Sequence, residues 1–242
     1  MPDCPARTGR SALLVFAKSP EAGRVKTRLT PPLTPEEAAA LADAFLLDAL
    51  DAYVAPGAFD EEVAVRLYLD GHAGALDLPV GLSVHAQRGD GLGARMRRAF
   101  VETFAAGYER IAVVGTDHPT LPVPFVGLAF EALAEPLTAV LGPSDDGGYY
   151  LLGLNELYPS LFDMAYGHGG VFDETLRRAS ARARHVTVLP PWYDVDDAAS
   201  LRRLVADWQR GAALPARTAA SLEALLDAHG QRLSFSGPPS SP

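Results

Sequence analysis

A group of basic side chains follows the first apolar segment of the chain. The segment 12–17 is apolar throughout and predicts a buried strand of a parallel sheet. The sequence F-A-K-S-P-E-A-G-R-V-K-T-R-L then brings four cations, Lys18, Arg24, Lys26 and Arg28. Gly23 permits a tight turn between them. Such a loop at the carboxyl end of a strand favours an anion such as a phosphate chain, and a solvated basic loop without a ligand is the alternative.

Aspartates follow three later strand-like segments. They are Asp117, the pair Asp145-Asp146, and the group Asp194, Asp196 and Asp197. Carboxylates that face Lys and Arg side chains across one sheet edge suit Mg²⁺ or Mn²⁺ bound to a di- or triphosphate. The alternative interpretation is that these residues cap helices and form turns, the usual role of Asp after a strand.

Two glycine-rich segments could bring backbone close to a ligand. The loop Q-R-G-D-G-L-G begins at Gln87 and opens a helix, and Gly147-Gly148 follows the aspartate pair. Both can equally be simple turns. His118 and His168 are candidate acid-base groups, or incidental loop histidines.

The elements that position these residues alternate along the chain. Hydrophobic patterns predict strands at 12–17, 63–69, 82–86, 111–115, 138–141 and 186–189. They predict helices at 35–53, 95–104, 125–134, 155–164, 171–183, 198–209 and 222–229. Thr34 is the expected N-cap of the first helix, and Asp196 or Asp197 that of the helix at 198–209. This alternation predicts an α/β fold with a mostly parallel sheet covered on both faces.

The totals restrict the class of protein. A length of 242 residues favours one domain, expected over 11–230, between a flexible N-terminus at 1–10 and a disordered tail at 231–242. The net charge of -9 argues against a nucleic-acid partner. A single cysteine, Cys4, excludes an internal disulfide. No signal-peptide pattern and no membrane-span pattern is recognised, so we expect a cytoplasmic protein.

Five motifs in series resemble one family. After the basic loop come Q-R-G-D-G-L-G-A-R-M, G-T-D-H-P-T-L-P, G-P-S-D-D-G-G-Y-Y-L-L-G-L and D-V-D-D-A-A-S-L-R-R-L. The series, over about 11–205, resembles bacterial GT-A-type nucleotide-diphospho-sugar transferases, also called radical-SAM/selenodomain-associated transferases. The K-T-R-L segment is also similar to 2-phospho-lactate guanylyltransferases. Where that family has G-D-L-G this chain has G-D-G-L-G, and Tyr166-Gly167-His168 replaces a W-S-T-like element.

The resemblance implies a Rossmann-like GT-A fold and a set of site residues. The nucleotide phosphates would contact the basic loop: Lys18, Gly23, Arg24, Lys26 and Arg28. Gln87 and Gly91 would contact the base, and Asp117 and Asp196 would bind Mg²⁺ or Mn²⁺. Asp145, Gly147 and Gly148 would line the acceptor side. Lys26, Asp117 and Asp145 are the expected catalytic residues.

These observations together predict a transferase. The expected activity is Mg²⁺-dependent transfer from a nucleotide-activated donor, a nucleotide sugar, to a small-molecule acceptor. One alternative is a nucleotidyltransferase that joins an NTP to a phosphorylated acceptor and releases pyrophosphate. A second is a nucleotide-binding regulatory protein without catalysis, which the replaced element at 166–168 keeps open.

Overall fold

The computed structural model describes residues 10–59, 62–74 and 76–233, and within them seven strands form one sheet. The strands are β1 (Ser11–Lys18), β2 (Val63–Asp70), β3 (Ser83–Ala86), β4 (Arg110–Gly115), β5 (Thr138–Pro143), β6 (Tyr149–Leu154) and β7 (His185–Val188). Their order across the sheet is β3-β2-β1-β4-β6-β5-β7. All neighbouring pairs are parallel except those made by β6, which runs antiparallel between β4 and β5. The prediction of a mostly parallel α/β sheet is confirmed.

Helices cover both faces of this sheet, as predicted. They are α1 (Pro35–Val54), α2 (Gly91–Ala105), α3 (Val123–Ala132), α4 (Val171–Ser180), α5 (Ala198–Gln209) and α6 (Ala216–Leu233). Alternate residues of β1 point to opposite faces: Leu13 and Val15 pack with α1 and α3, whereas Leu14 and Phe16 pack with α2. The central strand is therefore buried on both sides, which explains its continuous apolar sequence.

A third hydrophobic cluster lies beside the sheet and joins segments that are distant in sequence. It packs Leu29 and Leu33 of the loop after β1 against α1, α5 and α6, and it includes Val195, which follows β7. Leu29 and Val195 are fully buried there. The cluster therefore fixes the basic loop relative to the aspartates that follow β7.

Local capping signals place two of these helices. The Thr34 side chain accepts a hydrogen bond from the Glu37 backbone N–H, and the Glu37 carboxylate accepts one from the Thr34 N–H. At α5 the cap is Asp197, which accepts from the N–H groups of Ala199 and Ser200. Both caps had been expected from the sequence, Asp197 as one of two candidates.

The predicted helix at 155–164 is wrong. Only a short 3₁₀ turn, Pro159–Leu161, forms in this segment. The Asn155 side-chain amide donates to the carbonyls of Leu133 and Glu135, and its oxygen accepts from the Thr138 N–H. Asn155 thus serves the connection between α3 and β5, and Pro159 cannot donate the backbone hydrogen bond that a continuing helix requires.

The predicted chain ends fall largely outside the described residues. The flexible N-terminus was predicted at 1–10 and the tail at 231–242, and of these 1–9 and 234–242 lie outside the described residues, whereas α6 continues to Leu233 and so enters the predicted tail. None of the helices within the described ranges is long and apolar enough to cross a membrane.

The start of α6 is capped by a residue of α1. Asp48 has 7% of its surface exposed, and its carboxylate accepts from the backbone N–H groups of Arg217 at 3.1 Å and Thr218 at 2.7 Å. The neighbouring Asp51 forms an exposed ion pair with the Arg217 side chain.

We predict that Asp48→Ala lowers the free energy of unfolding by about 1–3 kcal/mol, because two buried N–H groups lose their acceptor. Asp51→Ala, the matched control, should cost at most about 1 kcal/mol, since it removes an exposed ion pair. Urea unfolding followed by circular dichroism measures both. Equal losses would show that α6 does not depend on the Asp48 cap.

Candidate active site

A cleft of about 1030 Å³ runs along the edge at which the parallel strands end. Nine of the residues predicted for the site line it: Lys18, Arg24, Lys26, Arg28, Gln87, Gly91, Asp117, Gly148 and Asp196. Gly23, Asp145 and Gly147 were also predicted but are not among its lining residues.

Lys26 occupies the centre of this cleft. Its Nζ donates to Asp117 Oδ1 and, at 2.6 Å, to Asp196 Oδ1. Only 5% of the lysine side chain is exposed, compared with 49% for Asp117 and 38% for Asp196. Asp117 follows β4 and Asp196 follows β7, so one ammonium group joins two strand ends to the loop after β1.

The charges of this cluster stabilise one another. Burial disfavours the charged form of Lys26, but Asp117 and Asp196 together outweigh that effect and raise its pKa. Burial by itself would raise the pKa of the Asp117 carboxyl. The adjacent Lys26 ammonium outweighs this effect and lowers the pKa below its ordinary value. Lys26 and Asp117 are therefore both ionised at neutral pH.

Further acidic and polar groups extend the cluster toward β5. Burial, followed by the charges of Asp196 and Asp146, raises the pKa of Asp194 to about 6. Ser144 Oγ lies 3.4 Å from Asp194 Oδ1 and 3.4 Å from His118 Nε2. Burial and the charge of Lys26 lower the pKa of His118 to about 4, although nearby carboxylates oppose the shift. His118 is thus neutral near pH 7, and its buried Nδ1 has no hydrogen-bond partner within the described part of the chain.

The other cations of the basic loop are exposed around the cleft. Arg24 pairs with Glu21 at 2.7 Å, and Arg28 lies 3.7 Å from Asp197. Lys18, at the end of β1, is exposed and forms no ion pair with any described residue. Flexible, solvated cations of this kind can reorient toward an anion in the cleft.

The opposite wall of the cleft comes from the loop before α2. Gln87, predicted to contact a base, donates its side-chain amide to the carbonyls of Ala17 and Tyr68, each at 3.0 Å. It therefore ties the ends of β1 and β2 together. Arg95, one turn into α2, lines the cleft and pairs with Asp70 at 2.6 Å. Arg95 was not among the residues predicted for the site. Its spacing of four residues from Gly91 would have placed both on one face of the first helical turn.

The turn between β5 and β6 presents its two aspartates in different directions. Asp145 pairs with Arg203 at 2.7 Å, away from the cleft, while Asp146 lines the cleft. Gly147 has a φ of +85°, and a Cβ there would collide with the backbone of Gly169. That close approach fixes the turn. The catalytic role predicted for Asp145 stays a prediction, and the carboxylate that reaches the cleft is that of Asp146.

The residues are chemically suited to a divalent ion, with one condition. Asp117 and Asp196 supply hard oxygen ligands that converge on one point, and Mg²⁺ needs few protein carboxylates. The described residues contain no group of three or more His, Cys, Asp or Glu side chains arranged as a metal site. The shared point is occupied by the Lys26 ammonium, so an ion held by both carboxylates requires that Lys26 exchange partners.

Comparison with known proteins identifies the family. A sequence family described as "Uncharacterized protein conserved in bacteria (DUF2064)" matches residues 49–168. A crystal structure of a "putative nucleotide-diphospho-sugar transferase" from Desulfovibrio desulfuricans G20 is 30% identical, with a TM-score of 0.77, covering 93% of this chain and 98% of that one. The chain belongs to the same family as this Desulfovibrio protein. The search of curated proteins found no match.

A more distant structure shares the fold of this protein. A cytidylyltransferase from Leptospira borgpetersenii serovar Hardjo-bovis (strain JB197) has a TM-score of 0.53 at 11% identity, covering 95% of this chain and 99% of that one. At this identity the likeness shows the fold alone. Rv0371c from Mycobacterium tuberculosis H37Rv, crystallised as a complex with manganese, is 22% identical with a TM-score of 0.49, covering 82% of this chain and all of that one.

We predict that Lys26→Ala weakens nucleoside triphosphates much more than the matching nucleosides, because only the former carry the anion that Lys26 would meet. Loss of a charge-assisted contact of roughly 1.5–3 kcal/mol corresponds to about one to two decades in affinity. Isothermal titration of both ligand types measures the difference. Arg98→Ala, which removes an exposed cation paired with Glu102 on α2, is the control. If both ligand types lost affinity equally, Lys26 would be supporting the fold rather than binding phosphate.

We also predict that Asp145 and Arg203 are coupled in solution by about 0.2–1 kcal/mol, as expected for an exposed ion pair. A double-mutant cycle of Asp145→Asn and Arg203→Ala, read by urea unfolding, isolates this value from the contact between Arg203 and the Tyr193 ring. A coupling of zero would mean that the Asp145 carboxylate is free to turn toward the cleft, in support of its predicted catalytic role.

Proposed function

We propose that this protein is a divalent-metal-dependent transferase that uses a nucleotide-activated donor, in the first instance a nucleotide-diphospho-sugar. The observation that carries the proposal is the meeting of the basic loop with two carboxylates from separate strand ends, inside a cleft large enough for a nucleotide. The description of the 30% identical Desulfovibrio protein supports the same class of activity.

Electrostatics favours an added cation in this cleft. With Asp194 ionised, the part of the cleft formed by Asp117, Asp146, Asp194, Asp196 and Lys26 carries four negative charges and one positive charge, a local net charge of -3, and only Asp117 and Asp196 are paired with the ammonium. A phosphate chain would be repelled by this cluster alone. Asp117 and Asp196 would hold the ion, which when bound supplies positive charge to the phosphate oxygens. Lys26, released from the two carboxylates, could then contact phosphate.

The proposed reaction is glycosyl transfer. An acceptor hydroxyl oxygen forms a bond to the anomeric carbon, the bond from that carbon to the phosphate oxygen breaks, and the electron pair leaves with the nucleoside diphosphate. The hydroxyl proton passes to a carboxylate of the cleft, for which Asp146 and Asp194 are the candidates by position. The cations of the basic loop stabilise the leaving diphosphate, so catalysis is mainly electrostatic and positional.

A second candidate is nucleotidyl transfer, favoured by the number of cations. Within the described part of the chain, five basic side chains line the cleft: Lys18, Arg24, Lys26, Arg28 and Arg95. Such a number suits a triphosphate, from which an acceptor phosphate oxygen would attack the α-phosphorus and release pyrophosphate. The two candidates share the nucleotide and metal sites and differ in the bond that breaks.

A thermal-shift screen of nucleotides and nucleotide sugars, with and without MgCl₂ or MnCl₂, tests the proposal. A ligand at about 100 times its Kd should raise the melting temperature by roughly 5–10 °C. We predict that the shift depends on the metal and that Asp117→Asn abolishes this dependence while the protein stays folded. Metal-dependent binding that is unchanged in Asp117→Asn would remove Asp117 from the metal site.

Turnover separates the candidates once a ligand is found. With pooled acceptors, release of nucleoside diphosphate indicates glycosyl transfer, and release of pyrophosphate indicates nucleotidyl transfer. Nucleotide binding without either product would support the regulatory alternative. No nucleotide binding under any of these conditions would overturn the proposed function.

A further inference from the structure

Charge is distributed unevenly along the cleft. The strands β3, β2 and β1 lie at one end of the cleft, and the cations come from this end. The basic loop follows β1, and Arg95 lies on α2, the helix after β3. The acidic side chains come from the other end. Asp117 follows β4, Asp146 lies between β5 and β6, and Asp194 follows β7. Asp70, the one described lining carboxylate at the cationic end, is paired with Arg95.

Among the described residues, Lys26 is the cation that reaches the acidic end, and its ammonium is paired with Asp117 and Asp196 rather than with Asp146 or Asp194. No Lys or Arg from the segments after β4 is among the described residues that line the cleft. Arg203, which lies near the turn, is held by Asp145 and by the face of the Tyr193 ring, outside the cleft. If Asp117 and Asp196 are assigned to a divalent ion, Asp146 and Asp194 still carry uncompensated charge.

The size of the cleft leaves room for a second molecule at this end. Its volume of about 1030 Å³ is at the upper limit of the roughly 300–1,000 Å³ usual for a single small ligand. A nucleotide bound at the basic loop would occupy the cationic end of the cleft. The acidic end would remain free for the acceptor substrate, and Ser144 and Asp146 provide oxygen atoms there that can accept hydrogen bonds from it.

We propose that the acidic end of the cleft, at Asp146 and Asp194, selects a hydroxyl-rich acceptor that carries a protonated amine and rejects phosphorylated acceptors. This inference rests on the proposed transferase function for the role of the bound molecule as acceptor. The ammonium group would pair with Asp146, the exposed carboxylate of the two, while Asp194 would remain to accept the proton of the reacting hydroxyl. A phosphate at the same place would face two carboxylates that are not paired with the Lys26 ammonium.

The test compares matched probes that differ in charge. The full chain is titrated with glucosamine and N-acetylglucosamine, with galactosamine and N-acetylgalactosamine, and with glucose 6-phosphate, by ligand-observed NMR and calorimetry. We expect each amine to bind at least about tenfold more tightly than its acetylated partner, and 1 M NaCl to reduce this preference. Binding of glucose 6-phosphate that displaces glucosamine and is tighter than the binding of either amine would overturn the inference.

Variants locate the probe. Asp146 is exposed, so Asp146→Asn should fold normally, and we expect it to weaken amine binding about tenfold or more while leaving the acetylated sugars unchanged. Asp163→Asn, which removes an exposed carboxylate near Arg97 outside the cleft, should change neither. Amine binding that is unaffected by Asp146→Asn refutes the assignment to this end.

The two proposals fail separately. If nucleotides bind with metal dependence and no amine binds, the amine inference is wrong and the proposed function stands. If amines bind through Asp146 and no nucleotide binds, the amine site stands and the transferase function is wrong.

Discussion

The position of the Lys26 ammonium between two carboxylates determines how the cleft is built. Its partners lie 91 and 170 residues further along the chain, so this contact links the loop after β1 to the ends of β4 and β7. A buried ammonium is costly unless it is paired, and each carboxylate alone would leave it partly uncompensated. The backbone of Lys26 adopts the left-handed conformation, with φ at 46°, which a side chain rarely adopts without support from its surroundings.

That support comes from apolar packing outside the sheet. The third hydrophobic cluster buries Leu29 on one side of Lys26 and Val195 beside Asp196, and it holds both against α1, α5 and α6. The Val195 backbone N–H also donates to the carbonyl of Asp117 at 2.8 Å, which brings the two carboxylate-bearing segments together directly. The charged centre is thus positioned by a hydrophobic cluster that contains none of its charged groups.

Local signals predicted most of the elements but not the strand β6, and strand-end reasoning predicted that Lys26 would meet Asp117 and Asp196. The buried β1, the Thr34 cap and the start of α5 at Asp197 all follow from short-range patterns. The features that could not be predicted from the sequence depend on contacts between residues that are distant along the chain. Gly147 packs against Gly169 in the turn that places Asp146 rather than Asp145 in the cleft. Lys26 is buried and lies over the Phe45 ring of the third cluster, whereas Arg24 and Arg28 stay exposed. The helix predicted from Asn155 onward does not form, because the side chain of Asn155 bonds to the segment that connects α3 to β5 and to the start of β5.

The separation of Lys26 from Asp196 also orders events during synthesis. At the usual 5–20 residues per second, a ribosome reaches Asp196 roughly 10–35 s after it has added Lys26. During that interval the nascent chain has the basic loop and β1 but lacks one of the carboxylates and most of the apolar surface that buries the lysine. The cleft at this edge of the sheet therefore cannot be completed before the segment after β7 has emerged, and until then Lys26 lacks one of its two carboxylate partners.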